Sequence, residues 1–535
     1  MKEEVLIVGA SASGMTLALQ LHRYGVPLRI IETDRHKATP ASALGLTPDV
    51  LQLFDDLGLG ESLVACGHPL QAIHSRTDAN RQSLTRYDLR PHRHPFVLML
   101  AQLETERLLE ARLNALGHVI ERDCELLGLE PEADRVRVRL RRGTHQTLRS
   151  FAYVAGCDSG RDRLRTALGL GAGERNARQR ILLADLPVQW AGSLSEGHCF
   201  IRDQDFLALL PLGNGQHRIL VKSAAPYPSG QAPSLQELRA SIARQRIQGL
   251  EIEAPTWRTS LSLRTHGLPM MRRGRVFIGA EATHLHDAIG GFGLNGAIAE
   301  AFSLGWKLGY RLNGGGNDGL LDPPAATQAP PLAADAASRP DLAPPLLAGH
   351  PPPYVADTGA GGDSLALLGH GRHSLLLVPP RDEPGMRAAL QLLARVQHAS
   401  LGLVRTYLLT DTRHAGRALP PKRCHYDEQQ RLRQAYGLAE GDFVLIRPDF
   451  QIASLGRLPH CEELWNELQH LHGFDTALLP PTGRPSIACD TRNPPAPART
   501  RKEAFHHEAP LPAPRRWPTA VPGQPGQWPD PGVLS

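Results

Sequence analysis

The segment that most constrains the fold is a glycine-bounded turn near the start of the chain, Gly9-Ala-Ser-Ala-Ser-Gly14. It follows Val5-Leu-Ile-Val8, a short and continuous apolar run that is typical of a buried parallel strand. After the turn, apolar residues recur at the spacing of one helix face, and a second strand-like run, Leu28-Arg-Ile-Ile-Glu32, comes next. This order predicts a parallel strand–helix–strand unit at the front of the chain.

A turn of this kind has the chemistry to hold a phosphate. Glycine permits the tight turn and a close backbone approach, and the N–H groups at the start of the following helix face an anion. Glu32, at the end of the second strand, is placed to accept ribose hydroxyls. The middle glycine of a dinucleotide motif is replaced by Ser11, whose side chain would crowd a phosphate or donate a hydrogen bond to it. An ordinary strand-to-helix turn without a ligand remains the alternative.

A second glycine-rich segment lies between Gly279 and Gly296. Gly290, Gly291 and Gly293 come directly before a long helix, so their backbone N–H groups and the helix dipole favour a ligand with partial negative charge. The same segment contains His284 and His286, but no third ligand stands at a suitable spacing, so we predict no metal site.

Composition excludes several other classes of protein. The net charge is only +5, and no Lys/Arg stripe is interleaved with aromatics, so we predict no nucleic-acid partner. Seven scattered cysteines without a Cys-x-x-Cys pair argue against a disulfide framework, a zinc site or a thiol redox motif. No apolar run reaches the roughly 18 residues of a membrane span, so we expect neither a membrane anchor nor a signal peptide. The sequence therefore predicts a cytoplasmic protein without a membrane partner.

The remaining regions differ in pattern. Residues 171–270 alternate short strands with turns, and the Ser234/Glu237 pair has the spacing of a capping box at a helix start. Ten prolines fall within residues 313–353, which indicates a linker, and a compact α/β unit follows. From Pro480 to the end there are fourteen prolines, which indicates a disordered tail.

A third motif completes a family resemblance. The segment Val154-Ala-Gly-Cys-Asp-Ser-Gly-Arg-Asp-Arg-Leu-Arg165 stands between the two glycine-rich segments. The three motifs in this order resemble those of FAD-dependent aromatic hydroxylases, the single-component flavoprotein monooxygenases that act on phenols and polyketides. The later unit, notably Leu445-Ile-Arg-Pro-Asp449, resembles the thioredoxin-like domain that many of these enzymes carry.

The resemblance implies an α/β fold with three structured parts. They are a Rossmann-like FAD-binding domain, an inserted antiparallel-sheet substrate domain, and a C-terminal thioredoxin-like α/β domain. The expected boundaries are 1–75, 98–170 and 271–312 for the FAD-binding domain, 76–97 and 171–270 for the substrate domain, 313–360 for the linker, 361–475 for the thioredoxin-like domain and 476–535 for the tail.

The resemblance also implies roles by position. Gly9, Ser11 and Gly14 would face the FAD pyrophosphate, and Glu32 the adenosine ribose. The other implied cofactor-binding residues are Gln102 at the flavin, Asp158 near FAD and NAD(P)H, Glu281 at the ribityl chain, and Gly291, Gly293, Leu294 and Asn295 along the isoalloxazine edge.

For substrate contacts the polar candidates are His94, Arg264 and His266. For each of them a solvated loop or surface position is the favoured interpretation, so we assign no catalytic residue.

The implied activity is insertion of one oxygen atom from O2 into an aromatic or polyketide substrate, with NAD(P)H reducing the FAD. A contact between two copies of the chain, giving a homodimer, is left open. The sequence departs from the family pattern at six positions near the cofactor: Ser11, Ser42, Ser159, Ala280, Glu281 and Asp287. The alternative is therefore a diverged homologue that has lost tight FAD binding and acts as a non-redox tailoring enzyme or a binding partner.

Overall fold

The computed structural model of the chain describes residues 4–35, 44–77, 82–89, 91–157, 164–169, 178–202, 205–223, 232–264, 271–279, 292–322, 346–358, 362–400, 402–410, 424–427 and 429–472. All of these belong to one compact unit, Met1–Leu479. No helix in these ranges is long and apolar enough to cross a membrane.

The helices of the described residues are α1 (Ala12–Arg23), α2 (Pro48–Asp56), α3 (Gly60–Cys66), α4 (Gln102–Ala115), α5 (Leu235–Arg244), α6 (Phe292–Leu312), α7 (Ser364–Leu368), α8 (Glu383–Ala399), α9 (Arg431–Ala435) and α10 (Glu462–His472), with a 3-10 turn at Asp318–Leu321. The strands are β1 (Val5–Val8), β2 (Leu28–Ile31), β3 (Leu44–Leu46), β4 (His68–Leu70), β5 (Ala72–Thr77), β6 (Gln82–Arg86), β7 (Val97–Ala101), β8 (Cys124–Pro131), β9 (Val136–Arg142), β10 (His145–Phe151), β11 (Tyr153–Gly156), β12 (Arg178–Gln189), β13 (Gly197–Arg202), β14 (Asp205–Gly213), β15 (Gln216–Ser223), β16 (Glu251–Ile252), β17 (Trp257–Arg264), β18 (Met271–Arg273), β19 (Val276–Ile278), β20 (His373–Leu377), β21 (Val404–Thr410), β22 (Cys424–Tyr426), β23 (Asp442–Ile446) and β24 (Ile452–Arg457).

The first sheet confirms the Rossmann-like prediction. Its order is β18-β19-β11-β1-β2, and β19, β11, β1 and β2 run parallel. The continuous apolar run of β1 is fully buried, as expected of a strand covered on both faces. Helices α1 and α6 pack closely on each other at Gly305, where glycine is required because an added Cβ would lie only 2.4 Å from the Cβ of Gln20. The first sheet therefore brings the amino-terminal motif and the later glycine-rich segment into one domain.

The sheet predicted for the substrate domain is also present and is antiparallel except for the pair β13 and β5, which run parallel. It has the order β16-β12-β15-β14-β13-β5-β6, with β17 paired to β12. Helix α5 covers its outer face and begins, as predicted, with a capping box in which Ser234 accepts from the Glu237 N–H and Glu237 accepts from the Ser234 N–H. The inner face packs against the small sheet β3-β7-β4 through an apolar cluster that includes Leu44, Val97 and Met99. The inner face is thus turned toward the domain that carries the glycine-rich loops.

The C-terminal unit is built on a five-stranded sheet of order β22-β21-β20-β23-β24. Strands β20 and β21 are parallel and joined by α8, while β23 and β24 form an antiparallel hairpin that is followed by α10. The assignment of this unit as thioredoxin-like stays a prediction.

Parts of the range predicted as a linker are packed rather than extended. Leu320 and Leu321 of the 3-10 turn are buried, and Gly349 and His350 exchange backbone hydrogen bonds with Ile452 of β24. The proposed domain boundaries stay predictions, but these residues join the compact unit.

Candidate functional site

The predicted motifs meet at one edge of the first sheet, at the carboxyl ends of its parallel strands. Backbone hydrogen bonds join them in a row: Gly9 N–H donates to Ile31 O at 2.9 Å, Cys157 N–H to Val8 O at 2.9 Å, and Gly279 N–H to Gly156 O at 3.0 Å. In open α/β sheets, ligands bind in the crevice outside these strand ends. This edge is therefore the place to look for a site.

Gly9 and Gly14 are both required by the shape of the first loop. Gly9 has a φ of +109°, a conformation that residues with a Cβ rarely adopt. A Cβ at Gly14 would lie 2.1 Å from the carbonyl oxygen of Gly9 and 3.3 Å from the Cβ of Cys157. The two glycines let α1 start directly against the strand, as the motif predicts.

Ser11 caps the helix that the loop opens. Its Oγ accepts from the Gly14 N–H at 3.4 Å and lies 3.0 Å from the Oγ of Ser13. Serine is among the preferred residues at this position because its oxygen satisfies one of the unpaired N–H groups of the first turn. The serine that replaces the family's middle glycine thus has a local structural role.

Glu32 lies directly beside the loop and is almost fully buried, at 7% exposure. Its Oε2 accepts from the Ala10 N–H at 2.9 Å, and its Oε1 accepts from the Thr33 and Asp34 N–H groups at 2.8 and 3.2 Å. The carboxylate is held by backbone donors on both sides, which fixes its position next to the first turn of the site.

A second buried carboxylate, Glu106, was not predicted. It lies on α4 with 4% exposure, and its Oε1 accepts from the Ala12 N–H at 3.2 Å and from the Gln102 Nε2 at 2.9 Å. Gln102, a predicted site residue, therefore reaches the loop through Glu106. The sequence does show Gln102 and Glu106 as a polar i,i+4 pair on the helix that follows the buried strand β7. It does not show the contact between Glu106 and Ala12, because these residues are 94 positions apart.

Asn295 and its neighbours stand in the first turn of α6. The side-chain Oδ1 of Asn295 accepts from the Thr47 N–H at 2.9 Å, and its Nδ2 donates to Gly45 O at 3.0 Å. Asn295 is 5% exposed, whereas Gly293 and Leu294 are half-buried. The amide of Asn295 therefore ties the start of α6 to the β3–α2 connection.

Several predicted residues lie outside the described part of the chain. These are Asp158, Glu281, Gly291, His266, His284, His286 and the departures from the family pattern at Ser42, Ser159, Ala280 and Asp287. The side chain of Arg264 is not described either. His94 is described, and its Nε2 lies 2.7 Å from Oδ2 of Asp55 on α2. His94 thus has a protein partner of its own. Among the described residues, no group of three or more His, Cys, Asp or Glu side chains could hold a metal ion.

The inner face of the substrate sheet forms an apolar wall. Its members include Ile181, Leu183, Leu210 and Leu220, which are each fully buried. Burial also raises the pKa of the Cys199 thiol to about 12, so this cysteine stays protonated and unreactive at neutral pH.

One charged pair interrupts the apolar wall. The Arg218 guanidinium donates from Nε and Nη2 to the two oxygens of Asp185 at 2.6 and 2.7 Å, and it lies 4.6 Å from the ring centre of Trp257. The Arg218 side chain is only 4% exposed. Because a bidentate pair and an aromatic face both hold it, the guanidinium has a fixed position on this wall.

Comparisons with known proteins agree with the geometry. The family model for the FAD binding domain matches residues 2–336. The chain is 30% identical to 6-methylpretetramide 4-monooxygenase of Streptomyces rimosus over 93% of this chain and 98% of that protein. It is 30% identical to rifampicin monooxygenase of Streptomyces venezuelae over 60% of this chain and 66% of that protein.

Solved structures show the same fold. A flavin-dependent monooxygenase in complex with FAD and substrate superposes with a TM-score of 0.67 at 18% identity, covering 88% of this chain and 98% of that one. Aklavinone-11 hydroxylase with FAD and aklavinone gives a TM-score of 0.60 at 18% identity, covering 88% and 99% of the two chains.

The parallel sheet, the glycine-bounded loop and the buried acid after the second strand define a Rossmann-type dinucleotide-binding protein. The chain belongs to the FAD-binding-domain family, and within it to the flavin-dependent monooxygenases that hydroxylate aromatic and polyketide compounds.

Proposed function

We propose that the chain inserts one oxygen atom from O2 into a fused-ring aromatic polyketide, using FAD that NAD(P)H reduces. The observation that carries this proposal is the loop at Gly9–Gly14, where glycine geometry, a capped helix start and a buried acid occur together. The relatives named above support the substrate class, because their names give 6-methylpretetramide and rifampicin as the compounds that they act on.

The donors around the loop fit a pyrophosphate. Ala10 N–H and Ala12 N–H are bonded to Glu32 and Glu106, whereas the N–H groups of Ser11 and Ser13 have no protein acceptor within the described residues. Ser11 and Ser13 are 8% and 9% exposed, so these N–H groups are close to buried. Buried N–H groups are ordinarily hydrogen-bonded, and at the start of a helix the dipole favours an anionic acceptor. The fit supports FAD with its pyrophosphate at Ser11 and Ser13.

The remaining contacts follow from position. Glu32 would accept the adenosine ribose hydroxyls, and Gln102 would contact the flavin. Asp158, Glu281, Gly291, Gly293 and Leu294 keep the roles that the family resemblance implies. Asn295 would act at the isoalloxazine edge through its backbone, since its side chain is bonded to Gly45 and Thr47.

In this reaction the residues of the chain bind FAD and the substrate and keep water away from them. FAD, once bound and reduced, supplies the oxygen-transfer chemistry. The apolar cluster that includes Leu210 and Leu220 gives the sheet a dry backing, which would help to keep water away from a substrate bound beside it.

We assign a structural role to the C-terminal unit, which packs on α6 through Trp306 and Tyr310. The absence of a Cys-x-x-Cys pair from the whole sequence argues against redox work by a thioredoxin-like domain. We also propose a cytoplasmic location and, as a property to be measured by light scattering, a homodimer.

The test is a turnover assay with the purified, FAD-loaded chain. Isotopically labelled O2, NADPH or NADH, and a panel of aromatic polyketides are supplied, and products are examined by mass spectrometry. The proposal predicts a product carrying one labelled oxygen atom and consumption of one reduced nicotinamide per product. Reduced nicotinamide consumption that is never accelerated by any polyketide, with no labelled product, would contradict it.

A further inference from the structure

Glu106 joins two helix starts at the edge of the first sheet. Its Oε1 accepts from the Ala12 N–H at 3.2 Å and from the Gln102 Nε2 at 2.9 Å, and the residue is only 4% exposed. One oxygen atom thus connects the first turn of α1 with the first turn of α4. Because a buried carboxylate is costly unless it is hydrogen-bonded, these bonds fix the position of Glu106 together with those of its partners.

The same bonds fix the orientation of the Gln102 amide. A glutamine amide has an NH2 group that donates and an oxygen that accepts. Since the Glu106 oxygen is an acceptor, the NH2 group of Gln102 faces it, and Oε1 of Gln102 points away. Gln102 is half-buried, and its Oε1 has no hydrogen-bond partner in the described part of the chain and is open to solvent. The amide therefore presents an acceptor to a ligand.

Gln102 stands close to the start of α6 as well as to the start of α1. The residue before it, Ala101, pairs with Leu44 of β3. Gly45, the next residue of β3, accepts from the Asn295 side-chain amide at 3.0 Å. Strand β3 therefore connects the start of α4 with the start of α6, while the buried carboxylate connects it with the start of α1.

The part of FAD that would pass this point is the ribityl chain. In the proposed function the pyrophosphate lies at the start of α1 and the isoalloxazine edge at the start of α6, and the ribityl chain joins these two groups. A ribityl hydroxyl group can donate to Gln102 Oε1. A phosphate oxygen without a hydrogen cannot. The orientation of the amide thus favours the ribityl chain over the pyrophosphate as its partner.

We propose that Glu106 is a positioning residue for the cofactor, which orients Gln102 Oε1 to accept a hydrogen bond from one hydroxyl group of the ribityl chain. This inference rests on the proposed binding of FAD and names the part of FAD that Gln102 holds. A Glu106 that served the fold alone would not make the chain sensitive to a single ribityl hydroxyl group.

The test measures the affinity of the full chain, stripped of FAD, for FAD and for analogues in which one ribityl hydroxyl group is replaced by hydrogen. Binding is followed by flavin fluorescence, so no turnover is needed. One of these analogues should bind about five- to tenfold more weakly than FAD, as expected for the loss of one hydrogen bond. The analogue with fluorine at the same position should be equally weak, because fluorine cannot donate to Gln102 Oε1.

Variants connect that hydroxyl group with the Glu106–Gln102 pair. Gln102→Leu and Glu106→Ala should each weaken FAD binding about five- to tenfold and should no longer distinguish FAD from the weak analogue. Glu106→Gln, whose amide oxygen can still accept from both partners, should behave like the parent. Glu104→Gln is the matched control and should also behave like the parent, because that carboxylate on the same helix pairs with the exposed Arg107.

Far-UV circular dichroism verifies that each variant folds, and Gln102→Leu carries the test if Glu106→Ala does not. Two results would overturn the inference alone. One is equal affinity of the parent for FAD and every analogue, and the other is an undiminished distinction between FAD and the weak analogue in Gln102→Leu or Glu106→Ala. A parent chain that binds no FAD would overturn the proposed function as well.

Discussion

The amino-terminal loop and the contact between α6 and the C-terminal unit both depend on buried carboxylates, but the carboxylates have different partners. At the loop, Glu32 and Glu106 accept from backbone N–H groups of Ala10 and Ala12. At the contact, Asp449 accepts from the Arg447 guanidinium at 2.9 Å and from the Trp306 indole N–H at 3.1 Å.

The difference indicates what each region is built for. Carboxylates on backbone amides shape a loop while leaving neighbouring N–H groups for a ligand. A carboxylate held between a guanidinium and an indole leaves nothing for a ligand and instead joins two parts of one chain. Burial opposes ionisation of Asp449, but Arg447, Trp306 and Lys307 outweigh it and hold the pKa of that carboxyl below its usual value. The two regions should therefore respond differently to substitution.

The largest effect on stability is expected at the C-terminal contact. Asp449→Asn leaves the half-buried Arg447 with only the weaker influence of Glu467, so the free energy of unfolding should fall by about 3 kcal/mol. Urea unfolding measures it. Arg387→Gln, which breaks an exposed i,i+4 pair with Glu383, is the matched control and should change the free energy by only about 0.3–0.5 kcal/mol. If the two variants unfold alike, the contact is not held together by Asp449.

The loop should fail in a different way. Gly14→Ala places a Cβ against the Gly9 carbonyl, so the loop must shift, and over-packing of this kind costs about 1–3 kcal/mol. The greater effect should be loss of FAD, measured as flavin absorbance after gel filtration. Gly128→Ala, at a position where an added Cβ meets nothing within 4 Å, should retain FAD. Asp449→Asn should also retain FAD. If Gly14→Ala retained FAD as well, the loop would not be the part of the chain that holds the cofactor.

Asn295→Ala tests the tie between the start of α6 and the β3–α2 connection. It removes the acceptor of Thr47 N–H and the donor to Gly45 O, and a buried group left unpaired costs about 1–3 kcal/mol. We expect a lower unfolding midpoint together with a changed flavin fluorescence. An unchanged flavin spectrum would show that the tie serves stability alone.

The smallest expected effect is the pH dependence of stability at the C-terminal unit. Burial lowers the pKa of His425, whose Nε2 lies 3.0 Å from the Thr358 carbonyl oxygen. The folded state therefore binds a proton less readily than the unfolded state, whose histidine titrates near pH 6.5. The contribution of His425 to the free energy of unfolding is therefore fully present above that pH and is lost as the pH falls below it. Urea midpoints should decline as the pH falls below about 6.5, and His425→Gln should reduce the decline.

Local motifs made part of this structure predictable. The Gly9–Gly14 turn, the first strands and the capping box at Ser234 are determined within a few residues, and the structure confirms them. The sequence could not reveal Glu106, because its partner Ala12 lies on another helix, or the Trp306–Asp449 bond, which spans 143 residues. Asn295 shows an intermediate case: its place in the motif was evident, but the direction of its amide depends on a strand far away in the chain.

The central claim is tested most directly by the flavin of the purified full-length chain. The account predicts a yellow protein with one FAD per chain, bleached by NAD(P)H faster when an aromatic polyketide is present. A colourless protein that cannot be reconstituted with FAD would contradict it and would favour the diverged homologue without a flavin.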